Sequence, residues 1–192
     1  MRYINGEFKS EKIDDFEIID NFLTIDQFKH VLEYTYMGRR SSELIWSKAE
    51  KVFGDDSKYN LQYVHTLYDF YIPRSPLFYA LEFILQKLSV ISVYGIKMNK
   101  EPLYPERYYS DFHYDFNCST GTHEKPIGHS HMKTGILYLN TNDGYTEFEN
   151  GKIVKSVANR FIEFPANTLH RGVSQTSTDL RYVINFNYFI EQ

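Results

Sequence analysis

Residues 133–151 read KTGILYLNTNDGYTEFENG. Two stretches in this segment have strand composition, 133–139 and 145–148, and each is followed by turn residues, at 140–144 and at Asn150-Gly151. Asn-Gly is the strongest short hairpin signal, because both residues tolerate the positive φ angles that a type I′ turn requires. The segment therefore predicts antiparallel strands joined by short turns.

The same pattern continues on both sides of this segment. Further short strands are predicted at 91–98, 112–116, 153–157, 160–164, 168–173 and 181–189. No long helix interrupts them, which argues against a parallel α/β sheet. Short strands at this spacing are typical of a sandwich or barrel such as a jelly roll.

The first ninety residues predict helices as well as strands at 16–20 and 61–71. Thr24 is followed by Gln27 in the capping-box position, and apolar residues then recur at helical spacing (Ile25, Phe28, Val31, Leu32, Tyr36) up to Gly38. A second helix is predicted to begin with Ser75 as N-cap and Pro76 in the first turn. It carries one apolar stripe: Leu77, Ala80, Leu81, Ile84, Leu85 and Leu88. The prediction is a mostly β protein with flanking helices, in the α+β class.

Composition narrows the possible partners and location. The chain has 192 residues and a net charge of −4, and its basic residues are scattered, so no nucleic-acid partner is expected. No run of 18 apolar residues is present, so no membrane span is expected. The start of the sequence has no apolar signal core, and the single cysteine, Cys118, cannot form an internal disulfide. A cytoplasmic location is the expectation.

Residues 112–116, Phe-His-Tyr-Asp-Phe, contain two side chains that could bind a metal ion. On a strand, His113 and Asp115 would point to the same side about 7 Å apart, so an imidazole and a carboxylate could converge on one metal ion. His170 is the best candidate for a third ligand. Two histidines and one carboxylate leave open positions on an octahedral metal, which is typical of non-haem iron(II) oxygenases.

The predicted strand at 181–189 has one apolar and one polar face. The apolar face (Tyr182, Ile184, Phe186, Tyr188) predicts core, and the other (Arg181, Val183, Asn185, Asn187) predicts a lined cavity. Arg181 there could bind a carboxylate bidentately. Because only a short turn separates the two strands, the strand of His170 is predicted to pair with that of Arg181.

With these residues in this order, the chain resembles the Fe(II)/2-oxoglutarate-dependent dioxygenase superfamily, in its prolyl-4-hydroxylase-like branch. The nearest likeness is to small phage-encoded members, particularly those of cyanophages. Besides the metal-site residues, segments 135–151, 157–160 and 183–188 carry the resemblance, which covers about 91–189. It implies one oxygenase domain over 1–192. Within it, residues 1–90 form an N-terminal elaboration of helices and strands, and 91–192 a double-stranded β-helix (jelly-roll) core.

The resemblance also implies roles for individual residues. His113, Asp115 and His170 would be the catalytic iron ligands, and Arg181 the partner of the distal carboxylate of 2-oxoglutarate. Tyr138 matches a tyrosine that assists this carboxylate in prolyl hydroxylases. The chain departs from many members in having Val183, rather than a hydroxyl residue, two positions after the arginine.

The implied reaction uses iron(II), 2-oxoglutarate and O2 to hydroxylate an unactivated C–H bond, and releases succinate and carbon dioxide. Ascorbate is a candidate reductant. Retention of Asp115 argues against halogenase chemistry. Substrates left open are prolyl residues in a peptide, free amino acids, other protein side chains and small metabolites, and the branch favours a prolyl or peptidyl one. The oligomeric state is open, and a phage-encoded enzyme would act in the host cytoplasm.

Other functions compete with this hypothesis. A cupin would use the pair His129 and His131 with Glu147, although a whole strand and turn separate them. A jelly-roll binding or structural protein of viral origin, without oxygenase activity, is the non-enzymatic alternative. Arg171 is a second candidate for the carboxylate partner, but it should point away from His170.

The remaining predictions concern the surroundings of the site. Residues 117–132 are mostly polar, and we expect them to form a mobile lid over the metal site, with an ordinary surface loop as the alternative. Three tyrosines before the HxD motif either line the substrate entrance or pack against the core: Tyr104, Tyr108 and Tyr109. Arg160 is expected to hold turns together, and His30 and His65 to be structural.

Overall fold

Antiparallel strands dominate the structure, a computed structural model that describes residues 10–13, 16–38, 44–49, 62–115 and 131–191. The strands are β1 (Ser10–Ile13), β2 (Phe16–Ile19), β3 (Ser47–Ala49), β4 (Gln62–Asp69), β5 (Ile72–Pro73), β6 (Val90–Pro102), β7 (Met132–Tyr138), β8 (Tyr145–Phe148), β9 (Ile153–Lys155), β10 (Phe161–Pro165), β11 (His170–Val173) and β12 (Leu180–Ile190). The helices are α1 (Ile25–Thr35), α2 (Leu77–Ala80) and α3 (Glu82–Lys87).

Within the described ranges these strands form two sheets. The large sheet has nine strands in the order β1-β2-β10-β7-β12-β6-β4-β3, with β5 paired to β4. The small sheet has the order β11-β8-β9. The predicted fold class, mostly antiparallel β with a few helices in a jelly-roll-like arrangement, is confirmed. None of the helices described is long and apolar enough to cross a membrane.

Helix α1 begins where the capping box predicts. The Thr24 Oγ1 accepts a hydrogen bond from the Gln27 amide at 3.3 Å, and the Gln27 Oε1 accepts one from the Thr24 amide at 3.1 Å. Val31 is fully buried, but Ile25 is 73% exposed, so the prediction that Ile25 belongs to the buried apolar face of the helix is wrong. At Gly38 a Cβ atom would overlap the Glu33 carbonyl, which fits the predicted helix stop.

The predicted helix from Pro76 to Leu88 is divided in two. Ser75 Oγ accepts a hydrogen bond from the Leu77 amide at 3.2 Å, in keeping with its predicted capping role. At Leu81 the amide donates to Phe78 and the carbonyl accepts from Ile84, both at the tighter three-residue spacing of a 3₁₀ turn. The break separates α2 from α3, while the apolar stripe remains buried at Leu77, Leu81, Ile84 and Leu88.

The helices cover one face of the large sheet, and the small sheet packs near the other. The predicted apolar residues of β12 join Val31 and Ile84 in the core beneath the helices (Tyr182, Ile184, Phe186, Tyr188). A second core includes Phe16, Ile136, Tyr138, Phe148, Phe164 and Val183. In β7, a Cβ atom at Gly135 would overlap the buried Phe161 ring, so a larger residue there would force this ring to move.

Two strand predictions near the site are wrong. Strand β11 pairs with β8, whereas β12 pairs with β6 and β7, so the strands of His170 and Arg181 lie in different sheets. The short segment between them crosses from the small sheet to the large one instead of making a hairpin. The predicted strand at 112–116 is reduced to a single bridge, His113 to His170, in its described part.

The polar face of β12 lies beside an equally polar face of β6. In the register of these strands Arg181 is opposite Glu101, Val183 is opposite Asn99, and Asn185 is opposite Lys97. Because alternate residues share a face, the six side chains lie on one surface of the large sheet. The predicted lid, 117–132, falls outside the described residues apart from His131 and Met132.

Candidate metal centre

His113 and His170 are placed side by side by a pair of backbone hydrogen bonds. The His113 amide donates to the His170 carbonyl at 2.9 Å, and the His170 amide donates to the His113 carbonyl at 3.1 Å. This reciprocal exchange is the antiparallel hydrogen-bonded pair, which brings the two residues directly opposite each other. The ring centroids are 4.9 Å apart. A single β-bridge to His170, and not the predicted strand, therefore positions His113.

Each imidazole is oriented by a backbone carbonyl two residues earlier. The His113 Nδ1 lies 2.9 Å from the carbonyl of Asp111, and the His170 Nδ1 lies 3.0 Å from that of Thr168. A carbonyl can only accept, so both rings carry their proton on Nδ1 and turn Nε2 towards Asp115. This hydrogen bond to the far nitrogen is the usual way in which a protein orients a metal-binding histidine.

Asp115 lies between the two rings and has no exposed side-chain surface. Its Oδ1 is 3.8 Å from the His113 Nε2, and its Oδ2 is 3.7 Å from the His170 Nε2. The three ligand atoms lie within 4.8 Å of one another. The side chains predicted as ligands are thus brought together in space.

Two residues of the large sheet hold the Asp115 carboxylate. Asn185 Nδ2 donates to Oδ2 at 3.1 Å, and Lys97 Nζ donates to Oδ1 at 3.3 Å. Burial alone would raise the pKa of Asp115, but Lys97 and the two histidines hold this pKa well below its usual value. The carboxylate is therefore ionised at neutral pH, as a metal ligand must be.

The pKa of His113 is lowered to about 4, first by burial and then by His170, against smaller opposing effects of Asp115 and the Asp111 carbonyl. The imidazole is neutral at pH 7, which is the protonation state that binds metals. Two imidazoles and one carboxylate are a suitable donor set for iron(II), and three coordination positions remain for other ligands. The residues present thus fit the metal that the resemblance implies.

Arg181 lies near the three clustered side chains and is 3% exposed. Its Nε donates to Ser156 Oγ at 3.0 Å, and its Nη1 donates to Glu101 Oε2 at 2.9 Å. A guanidinium has five N–H donors, so these two contacts leave donors that a ligand carboxylate could use. Gly144 permits this placement, because a Cβ atom there would lie 3.0 Å from Arg181 Cδ.

Tyr138 is close to Arg181, but its hydroxyl is directed elsewhere. The guanidinium Cζ lies 5.8 Å from the centre of the Tyr138 ring. The hydroxyl donates to Thr146 Oγ1 at 2.7 Å, and burial raises the pKa of Tyr138. Its role towards a co-substrate stays a prediction.

A cavity of about 180 Å³ connects these features. It is lined by the three clustered side chains, by Arg181 and Glu101, and by Lys97, Asn99 and Asn185, together with Tyr104 and Tyr108. Three residues of the predicted polar face of β12 line the cavity, Arg181, Val183 and Asn185, whereas Asn187 instead accepts a hydrogen bond from Thr134. The matching face of β6 was not predicted, although Lys97, Asn99 and Glu101 alternate with Met98 and Lys100 in the sequence as cavity-facing strand residues should.

Several neighbouring residues have other partners. Arg171 pairs with Glu147 at 2.8 Å and stacks on Tyr109 and Phe112, so it points away from His170 as predicted. Tyr109 is 45% exposed and packs with Arg171 rather than lining the cavity. Two residues have the structural roles predicted for them. Arg160 binds both carboxylate oxygens of Asp20, and His65 bonds to Ile45 and Ser75 through its two nitrogens.

Comparison with known proteins finds similarity in structure but not in sequence. No protein-family model matches the chain, and no curated protein sequence matches it. Among solved structures, a prolyl-4-hydroxylase from Pseudomonas putida matches with a TM-score of 0.61 and 12% identity, covering 92% of this chain and 93% of that one.

Two further matches show the range of proteins with this fold. A prolyl hydroxylase from Trichoplax adhaerens, in complex with a peptide fragment of the hypoxia-inducible-factor oxygen degradation domain, has a TM-score of 0.58 and 15% identity over 92% of this chain and 84% of that one. The non-haem α-ketoglutarate-dependent epimerase SnoN, from nogalamycin biosynthesis, has a TM-score of 0.59 and 12% identity over 92% and 78%. At these identities the matches establish a shared fold, and reaction and substrate must be argued from the site.

Proposed function

We propose that the protein is an iron(II)- and 2-oxoglutarate-dependent oxygenase that hydroxylates an unactivated C–H bond. The observation that carries the proposal is the convergence of His113, Asp115 and His170 in a cavity that also contains the buried Arg181. Two prolyl hydroxylases and a non-haem α-ketoglutarate-dependent epimerase share the fold over most of its length, which supports the proposal.

His113, Asp115 and His170 would hold the iron. When bound, iron(II) with 2-oxoglutarate and O2 supplies the oxidising power for hydroxylation, and succinate and carbon dioxide are the co-products. The protein contributes ligands, orientation and a cavity with restricted access to water. The Asp111 and Thr168 carbonyls fix the two rings, while Asn185 and Lys97 fix the carboxylate.

Arg181 would bind the distal carboxylate of 2-oxoglutarate. Its Nε and Nη1 contacts to Ser156 and Glu101 hold the guanidinium plane in place before the co-substrate arrives. A charge-assisted, bidentate contact from a fixed guanidinium is both stronger and more directional than a contact from a lysine. Tyr138 supports the guanidinium through its ring, and its hydroxyl is the predicted assistant of the same carboxylate.

For the substrate, the likeness to prolyl hydroxylases supports a prolyl or peptidyl residue, and a small molecule is the alternative that the same chemistry serves. The peptide in the Trichoplax complex is consistent with the first of these for that neighbour. The likeness to phage-encoded members, the location in the cytoplasm and the use of ascorbate stay predictions.

The proposal is tested by titrating the protein with iron(II) under anaerobic conditions and then with 2-oxoglutarate. We expect one iron per chain and saturable binding of one 2-oxoglutarate, followed on admission of O2 by succinate release that increases with the right substrate. A jelly-roll binding or structural protein would bind neither component stoichiometrically. Full turnover in an Asp115→Ala variant would overturn the assignment of the ligands.

A further inference from the structure

We propose that Ser110 is a positioning residue, whose hydroxyl fastens a β-bulge that turns His113, rather than Phe112, into the cavity. The inference rests on the proposed function, because it concerns how one of the proposed iron ligands is presented. Ser110 itself is neither a proposed ligand of the metal nor a proposed partner of the co-substrate. The argument comes from the register between residues 109–113 and strand β11.

This register changes between the two bridges that join residues 109–113 to β11. Tyr109 lies opposite Val173, and His113 lies opposite His170. Three residues separate Tyr109 from His113, whereas two separate His170 from Val173. One extra residue on one side of an antiparallel pair is a β-bulge, and bulges of this kind re-aim side chains next to active sites.

The bulge reverses which side chains face the cavity. In regular pairing, alternate residues share a face, so Ser110 would be followed in the cavity by Phe112, opposite His170. Instead, His113 lines the cavity together with Ser110, although it comes three residues later. The Phe112 ring lies on the other side, with its centre 4.5 Å from the Arg171 Cζ. The extra residue therefore brings an imidazole to the metal site in place of a phenyl ring.

The Ser110 hydroxyl fills the gap that the bulge leaves in the hydrogen bonding. In a regular pair of this register, Ser110 and Gly172 would exchange two backbone hydrogen bonds. The Ser110 amide does donate to the Gly172 carbonyl at 3.1 Å, but the Gly172 amide donates to the Ser110 Oγ, also at 3.1 Å. The hydroxyl thus takes the place of its own carbonyl. Ser110 is 7% exposed, and a buried amide without an acceptor is costly.

The same bulge also orients the His113 ring. In a regular strand the backbone carbonyls point sideways to the neighbouring strands. Here the Asp111 carbonyl, inside the bulge, lies 2.9 Å from the His113 Nδ1. One irregularity therefore sets both the direction of the side chain and the acceptor that leaves its Nε2 free for a metal.

Ser174 offers a matched control on the other side of the Tyr109 bridge. Its Oγ accepts a hydrogen bond from the Tyr108 amide at 2.7 Å, and its own amide donates to the Tyr108 carbonyl at 2.9 Å. This hydroxyl also stands in for its own carbonyl, and Ser174 is 3% exposed. No extra residue is present on this side, so removal of the Ser174 hydroxyl should cost a similar hydrogen bond without affecting the bulge.

The test counts coordinated imidazoles in the full chain loaded with Zn²⁺, a redox-inert ion, by NMR of ¹⁵N-histidine-labelled protein. The unsubstituted protein should bind one Zn²⁺ through the Nε2 atoms of two histidines, and failure at this step overturns the proposed function itself. In Ser110→Ala the Gly172 amide regains an acceptor only in the regular register, which turns His113 out. We expect at most one coordinated imidazole and a rise in the Zn²⁺ Kd of roughly 10- to 100-fold, the range for loss of a group that orients a ligand.

Further variants separate positioning from general stability. Ser110→Thr keeps the hydroxyl and should retain both imidazoles and most of the affinity. Ser110→Val has nearly the same shape without the hydroxyl and should behave as Ser110→Ala does; because valine favours strands, it also serves if Ser110→Ala does not fold. Ser174→Ala should lose about as much stability as Ser110→Ala in denaturation curves, yet keep both imidazoles.

With Zn²⁺ bound normally by the unsubstituted protein, two results would overturn the positioning role and leave the proposed function standing. One is two coordinated imidazoles with an unchanged Kd in the folded Ser110→Ala or Ser110→Val variant. The other is an equal rise in Kd for Ser174→Ala, because the effect would then come from lost stability and not from the bulge.

Discussion

Replacement of Arg181 by glutamine should affect two properties that a second substitution can separate. The arginine and Glu101 form an ion pair whose side chains are 3% and 16% exposed. Removing one partner of a buried pair leaves an uncompensated charge and costs about 3–5 kcal/mol. Because Glu101 keeps some contact with water, we expect Arg181→Gln to lower the free energy of unfolding by about 3 kcal/mol, the bottom of that range.

The same substitution should weaken 2-oxoglutarate binding. Loss of a charge-assisted contact to a carboxylate costs about 1.5–3 kcal/mol, which is roughly a 10- to 150-fold rise in Kd. In the double variant Arg181→Gln/Glu101→Gln neither charge is left unpaired, so most of the stability should return. The affinity for 2-oxoglutarate should not return, because the guanidinium is still missing. Glu101→Gln alone should tighten binding, because it removes the carboxylate that shares Arg181 with the co-substrate.

Stability is measured by denaturant unfolding of the metal-free protein, and affinity by calorimetry on the Mn²⁺-loaded protein under anaerobic conditions. Arg171→Gln is the matched control, since this arginine pairs with Glu147 on the other side of β11. The reasoning is refuted if the double variant recovers 2-oxoglutarate affinity together with stability. It is equally refuted if Arg171→Gln weakens binding as much as Arg181→Gln does.

Four other predictions follow from the site. Asp115→Ala should abolish stoichiometric binding of divalent metal, measured by equilibrium dialysis. The metal-free protein should lose stability as the pH falls from about 6.5 to about 4. In this range His113 binds a proton in the unfolded chain but not in the folded one, where it is buried. The lowering of its pKa to about 4 corresponds to a loss of roughly 3 kcal/mol in the free energy of unfolding. Tyr138→Phe should lower the free energy of unfolding by about 1 kcal/mol through loss of the bond to Thr146, and should weaken 2-oxoglutarate binding less than Arg181→Gln does. Amides of residues 117–132, the predicted lid, should gain protection from hydrogen exchange when Zn²⁺, 2-oxoglutarate and substrate are bound.

Three of these predictions have a control. Asp111→Asn changes an exposed acid near the metal site and should leave metal binding intact. His113→Asn should flatten the loss of stability between pH 6.5 and 4, and an unchanged pH dependence would contradict the assignment to this residue. For the lid, the control is exchange with Zn²⁺ alone, and protection that does not change when substrate is added would favour an ordinary loop.

Features that depend on neighbouring residues in sequence were predicted well. The capping box at Thr24 and the two faces of β12 are both set by short-range rules, and the structure shows both. The grouping of His113, Asp115 and His170 was also predicted, although the strand expected to carry the first two is a single bridge. The bridge suffices because it fixes the backbone of His113 against His170.

Features that depend on which strands meet in space were predicted poorly. A short connection suggested that the strands of His170 and Arg181 pair, yet a connection of this length can also cross between two packed sheets. The polar residues of β6 were missed for a related reason. The strand was predicted to end at Met98, where the apolar residues of this segment stop. The observed β6 continues to Pro102 because β12 pairs with it along its length. Asn99 and Glu101 have a cavity-facing role only once that pairing is known.

A structural ion-pair cluster is the alternative explanation for a buried aspartate between two histidines, and the geometry argues against it. In such a cluster the carboxylate would accept hydrogen bonds from the rings, but the His113 and His170 Nε2 atoms lie 3.8 and 3.7 Å from it, beyond hydrogen-bond range. The rings instead donate through Nδ1 to backbone carbonyls, which leaves Nε2 as an electron-pair donor directed at the same point as the carboxylate. Lys97 Nζ, 3.3 Å from Asp115 Oδ1, is one cation beside this carboxylate, and a metal ion between the three side chains would be a second. Since the histidines belong to the small-sheet side and Asp115 is held by Asn185 and Lys97 of the large sheet, a metal bound at this point would also join the two sheets across the cavity.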